Sequence, residues 1–313
     1  MTGFAAPTAS ATSLASAAPS RRRQGKWALL FLSPWIVGLI LLTAGPLLAS
    51  LYLSFTKYDL LSDPVWTGFG NYIRMFTADP LWWQSVRVTA IYVVIAVPLQ
   101  LALALALALL LNRGIKGLGF WRAAFYVPSL FGSGVAVAIL WREIFGSSGL
   151  LNQILDLIGI HSTTSWIGDP TWSLGTLVLL RAWEFGSPMI IFLAGLRQIP
   201  QDLYESAEID GAGPVRRFFS ITLPMLSPIL FFNLVLQVIN AFQVFGSAFI
   251  IGGGTGGAGN SLLVYTLYLY QSAFGNFQMG YAAAMAWVLV VIIGIVTAVN
   301  FWFSRHWVQY ADD

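Results

Sequence analysis

The sequence predicts an all-α polytopic membrane protein with six transmembrane helices, and three observations carry that expectation. Charged residues make up 9% of the 313 positions and hydrophobic ones 57%, far from the balance of a soluble globular domain. Residues 218–304 contain no Lys, Arg, Asp or Glu. At roughly 20 residues per crossing, that run holds two crossings and a loop. The basic residues also divide by side when the N-terminus is placed in the cytoplasm. Arg21, Arg22, Arg23, Lys26, Arg113, Lys116, Arg122, Arg197, Arg216, Arg217 and Arg305 then face the cytoplasm, against Lys57, Arg74, Arg87 and Arg142 outside. Eleven against four favours both termini inside and an even number of crossings.

From the N-terminus, residues 1–26 read as a disordered cytoplasmic tail, because the Ala, Ser, Thr and Pro of the first 20 bury too little surface to offset ordering entropy. The uncharged run from Trp27 to Thr56 follows a basic cluster, as in a signal peptide, but is too long for an apolar core of about 7 to 15 residues. It is expected to be an uncleaved first crossing. The other crossings are expected at Val88–Leu111, Ala123–Trp141, Trp172–Gly195, Pro224–Phe245 and Tyr281–Phe303. A transmembrane domain over 27–307 and a short C-terminal tail, 308–313, complete the chain. Trp66, Tyr72, Trp82, Trp83, Trp166 and Trp172 fall in external segments, where amphipathic rings serve as interfacial anchors.

Several chemistries are disfavoured. The chain has no cysteine, which rules out disulfides and thiolate ligands. Its two histidines, His161 and His306, lie far apart and outside the expected spans, so no His-based metal or catalytic centre is expected. The net charge of +3 is explained by topology and calls for no nucleic-acid partner. Asp59, Asp63, Asp79, Glu143 and Asp169 are scattered through separate external segments without metal-ligand spacing. The glycine-rich stretch Ile251–Ser261 lacks the Lys of a phosphate-binding loop and is expected outside the cell. It reads as an external connection leading to an aromatic segment, Leu262–Phe274, at the membrane surface. No enzymatic activity is expected of the chain.

Within the membrane, Arg181 and Glu184 stand three residues apart and share one helical face. Each costs about 2.5 to 3.5 kcal/mol near the bilayer centre, so they are expected to face one another, a partner helix or a watery cavity. Asn233, Gln237 and Asn240 fall on one stripe of the fifth crossing. Amides both donate and accept, which suits a polar, hydroxyl-bearing guest. These five residues either contact a guest within the bundle or hydrogen-bond between helices; the resemblance described below implies that they belong to a substrate pathway.

The loop after the fourth crossing, 198–223, carries the most specific pattern. Pro200 and Asp202 suit a helix start, and Gly211, Gly213 and Pro214 stop it about three turns later. Leu203, Ala207 and Ile209 to Gly211 give a small apolar surface beside Glu205, Glu208 and Asp210, as a docking helix requires.

Glu205-Ser206-Ala207, Asp210-Gly211-Ala212 and Ile221-Thr222-Leu223-Pro224 resemble the EAA loop of binding-protein-dependent ABC importer permeases. Leu193 to Pro200 and Tyr281 to Met285 resemble its sugar-importing, maltose-transporter-like branch. The likeness spans about residues 27–307, and Ser206 departs from the usual Ala. It implies the six-helix type I importer fold and an inner-membrane location. It also implies a coupling helix carrying Glu205 and Gly211, seated on a separate ATPase. The implied partners are a second permease, two ATPase subunits that hold ATP and Mg, and an extracytoplasmic sugar-binding protein. No cofactor is implied on this chain. Alternative expectations are a permease for glycerol phosphate or polyols, and an ion-coupled secondary transporter. The latter gains no support from an internal repeat.

Overall fold

The computed structural model describes residues 21–309 apart from 115 and 133, with side chains from residue 30 onward. The expected tail residues 1–20 and 310–313 lie outside the described residues; Arg21 to Lys26, expected in the tail, already belong to a helix. The chain divides at Ser50 into two units. The first holds α1 (Arg21–Leu39), a π-helical turn (Ile40–Ala44) and the start of α2 (Gly45–Ser54).

The second unit continues with a two-residue hairpin, β1 (Thr56–Lys57) and β2 (Val65–Trp66), antiparallel with Thr56 opposite Trp66. Helices follow: α3 (Gly70–Thr77), α4 (Pro80–Asn112), α5 (Leu118–Phe131), α6 (Val135–Ile144), α7 (Leu150–Leu157), α8 (Ser173–Trp183) and α9 (Gly186–Leu196). Then come α10 (Gln201–Ile209), α11 (Pro214–Arg217), a π-helical turn (Phe218–Thr222), α12 (Leu223–Phe242) and α13 (Gly246–Ile251). α14 (Tyr265–Tyr270), a π-helical turn (Gln271–Gly275) and α15 (Met279–Ser304) close the chain.

Four stretches are long and apolar enough to cross a membrane: Leu30–Ser54, Pro80–Asn112, Pro214–Ile251 and Met279–Ser304. Two bent pairs, α5 with α6 and α8 with α9, bring the number to six when each pair is one span. Both were expected as continuous helices; the α8–α9 break falls where a backbone carbonyl finds side-chain partners on other elements.

The centre of the second unit is α4. Asp79 caps it by accepting from the amides of Leu81 and Trp82, at 3.0 and 3.1 Å, and Pro80 occupies its first turn. Ala96, Gln100, Ala104 and Ala108 recur every four residues and are fully buried, a small-residue seam that lets neighbouring backbones approach. α8, α9, α12 and α14 pack against it. The opposite face carries exposed Val94, Ile95, Leu103 and Leu110, and α15 exposes Val290, Val291 and Ile295. Surfaces this apolar belong against lipid.

Two expectations are corrected here. Leu262–Phe274 is not a surface segment: Leu262, Leu263, Val264, Tyr265 and Leu267 are at most 1% exposed. The Tyr265 hydroxyl takes a hydrogen bond from Trp82 and donates to the Met285 carbonyl, and the Tyr265 amide donates to Thr89 Oγ1. That network draws the aromatic segment between α4 and α15. For the same reason Trp82 is core, whereas Trp66, Trp83 and Trp172 remain more than half exposed.

Candidate functional site

The break between α8 and α9 builds the site. α8 ends at Trp183 with Glu184 as its C-cap, and α9 begins at Gly186 at an angle of 42°. The freed Glu184 carbonyl accepts from Gln100 Nε2 of α4 at 2.8 Å and from Ser129 Oγ of α5 at 3.0 Å. Ser129 Oγ also accepts from the Ser187 amide at 3.0 Å. Three helices thus hold one kink, satisfying polar groups that lipid could not.

The Glu184 side chain lies against Gly132, where any Cβ would overlap its Cγ. Its Oε2 sits 3.0 Å from Arg181 Nη1, and Arg181 Nη2 donates to Gln237 Oε1 of α12 at 2.6 Å. The two expected intramembrane charges therefore do pair, and the α12 amide joins them. The two charged side chains are 16% and 13% exposed, facing a cavity of about 490 Å³ rather than bulk water. Asn240, Gln243 and Tyr92 extend its lining.

Four of the five expected pathway residues, Arg181, Glu184, Gln237 and Asn240, meet at this cavity. Asn233 does not line it: fully buried, it donates to the Ile229 carbonyl of its own helix, and its Oδ1 has no partner. Gln100, Ser129, Tyr92 and Gln243 were missed. Gln100 had a readable signal, a lone amide within the apolar run Leu99–Leu111; Ser129 had none. Gln100 Oε1 and Arg181 Nε are buried without protein partners, leaving one acceptor and one donor for a polar guest.

The 198–223 loop forms a second site on α10 and the turn beyond it. α10 buries no residue; Tyr204 and Ala207 are half-buried, while Glu205, Ser206, Asp210 and Gly211 are exposed and Ile209 is 88% exposed. Its end is a left-handed stop. Gly211 has φ +75°, its amide bonds the Glu208 carbonyl at 3.0 Å, and the Ala212 amide bonds the Ala207 carbonyl at 2.8 Å. Gly213 and Pro214 then start α11. The Tyr204 hydroxyl meets Thr222 Oγ1 at 2.9 Å, and Arg217 meets Glu208 at 3.1 Å, fastening the loop to the base of α12. Leu223 and Pro224 lie in the first turn of α12, apart from the exposed residues. Among the described residues no group of His, Asp or Glu side chains is arranged to hold a metal.

A bundle of long apolar helices with a polar cavity at a broken helix and an exposed helical loop is the architecture of an integral membrane transport subunit. Residues 81–309 match the family of binding-protein-dependent transport system inner membrane components, and the chain belongs to it. It is 50% identical to a probable ABC transporter permease protein, YesP, of Bacillus subtilis, over 90% of this chain and 91% of that one. It is 33% identical to the lactose transport system permease protein LacF of Rhizobium radiobacter, covering 88% and 93%. In fold it resembles a solved bacterial ABC transporter involved in alginate import, with a TM-score of 0.78 at 19% identity, covering 92% and 98%. A second solved neighbour is a bacterial alginate ABC transporter in complex with an alginate pentasaccharide-bound periplasmic protein, TM-score 0.70 at 20% identity, covering 91% and 94%.

Proposed function

We propose that this chain is one permease subunit of an ATP-driven, binding-protein-dependent importer of oligosaccharides or related carbohydrates. It supplies half of the pathway, with both termini in the cytoplasm. A second permease supplies the other half, two ATPase subunits bind ATP and Mg, and an extracytoplasmic binding protein delivers the sugar.

The observation that carries this reading is the cavity of about 490 Å³ within an apolar bundle, where Arg181, Glu184, Gln237 and Asn240 converge. Amides and a compensated ion pair offer donors and acceptors without net charge, which matches hydroxyl-rich sugars. α10 supports the ATPase partner: an exposed helix with Ile209 at its tip and acidic residues around it is left to meet another protein.

Sugar uptake by cells carrying the intact system tests the reading. Uptake is expected to stop on ATP depletion and to survive collapse of the ion gradients. The reverse pattern would replace it with ion-coupled transport.

A further inference from the structure

A second cavity, about 820 Å³, lies where α4 ends, α9 ends and α12 begins, behind the α10 loop. Its size is within the roughly 300–1,000 Å³ of small-molecule sites. The lining has two chemistries. Leu109, Leu196 and Phe218 with the exposed Phe219 make an apolar wall, and the Arg113 and Arg217 guanidinium groups supply positive charge. The carboxylate that engages Arg217, Glu208, is 70% exposed at 3.1 Å and does not line the cavity. An exposed pair of this kind holds by at most about 1 kcal/mol, so a stronger acceptor can replace it.

We propose that this cavity binds an anionic phospholipid, with acyl chains against the phenylalanines and the phosphate between Arg113 and Arg217. Two observations and one general tendency support that occupant. The cavity sits at the ends of membrane-crossing stretches, where headgroups lie. Its charge is positive, and guanidinium groups take phosphate oxygens in paired hydrogen bonds. Basic pockets between transmembrane helices characteristically hold acidic headgroups.

The site also has a structural consequence. Tyr204 and Thr222, joined at 2.9 Å, both line the cavity, so a lipid there packs against the inner side of α10 and steadies the docking helix. The inference stands independently of the transported substrate.

The test uses the intact transporter in mild detergent, stripped of lipid and then supplied with phosphatidylglycerol, phosphatidylcholine or inorganic phosphate, with bound molecules counted by native mass spectrometry. Phosphatidylglycerol is expected to remain bound and phosphatidylcholine to be lost. Arg113→Gln with Arg217→Gln is expected to weaken phosphatidylglycerol binding about tenfold or more, while Arg305→Gln, outside the cavity, leaves it unchanged. Either arginine variant alone gives the same readout if the double variant fails to assemble. Equal retention of phosphatidylcholine, undiminished binding by the variants, an equal loss with Arg305→Gln, or retention of phosphate without lipid would each overturn the proposal.

Discussion

Gln100 donates from Nε2 to the backbone carbonyl of Glu184 at 2.8 Å, so a side chain of α4 closes the break between α8 and α9. Interhelical hydrogen bonds in membranes contribute about 0.6 to 2 kcal/mol. Gln100→Leu removes this one and leaves Ser129 as the remaining donor to the carbonyl. A small drop in melting temperature and a larger drop in uptake are expected, because the 42° bend orients the Arg181–Glu184 pair. Unchanged melting and unchanged transport together would remove Gln100 from the brace.

Arg181 and Glu184 are expected to show strong non-additivity. Removing one member of a buried pair strands the other charge at a cost of about 3–5 kcal/mol. Arg181→Gln and Glu184→Gln should each lower the yield of assembled complex, while the double variant recovers yield but not uptake. Gln237→Leu, which removes only the amide that accepts from Arg181, should lower uptake with assembly intact. Additive losses of yield in the double variant would mean that the two side chains are stabilised separately.

Asp79 ties α4 to α14 and α15, accepting from the hydroxyls of Tyr268 at 2.6 Å and Tyr281 at 2.5 Å. Burial pushes its carboxyl up, but hydrogen bonds from Tyr268, Tyr281, Trp82 and Leu81 outweigh that and hold it below its ordinary value of 3.8. A carboxylate depressed in the folded state contributes stability that is complete above the unfolded value, about 3.9, and is lost as pH falls through the lower folded value. The brace is therefore insensitive to pH between about 5 and 8. Asp79→Asn should lower stability by about 1.5–3 kcal/mol, the worth of hydrogen bonds to a charged group. The gap in melting temperature should stay constant from pH 8 to 5 and narrow only below about 4. A gap that varies between pH 5 and 8 would show another group titrating with the brace.

Local rules made parts of this architecture legible before any coordinates. Three-residue spacing gave the Arg181–Glu184 pair, and glycine with proline gave the stop after α10. What escaped was decided by distant partners. Nothing near Glu184 announces that Gln100 and Ser129 will hold its carbonyl, and the aromatic run Tyr265–Tyr270 has a surface composition that Trp82, Thr89 and Met285 override. Asn233 shows the converse limit. Helical periodicity placed it on the right face, but the cavity opens beside Gln237 and Asn240, about one to two turns further along that face.

Gly211 allows backbone geometry to be separated from partner contact on α10, the helix proposed to dock the ATPase. At φ +75°, a β-branched residue is strained, whereas Asn tolerates the left-handed region. Gly211→Val should melt the end of α10 and reduce sugar-stimulated ATP hydrolysis by the assembled transporter severely. Gly211→Asn keeps the turn, so its effect reports what a side chain does at the surface the helix presents. Because a Cβ built there meets no side chain or backbone beyond the adjoining residues within 4 Å, a steric loss in an Asn variant that keeps its helix content points to a docked subunit. If Gly211→Asn couples normally while Gly211→Val does not, the glycine serves the turn alone, and Glu205→Lys becomes the variant that probes docking. If Asn and Val are equally defective and the Asn variant keeps its helix content, the partner approaches the backbone at Gly211 directly. Full ATPase stimulation in Gly211→Val, Gly211→Asp and Glu205→Lys alike would remove α10 from the coupling path.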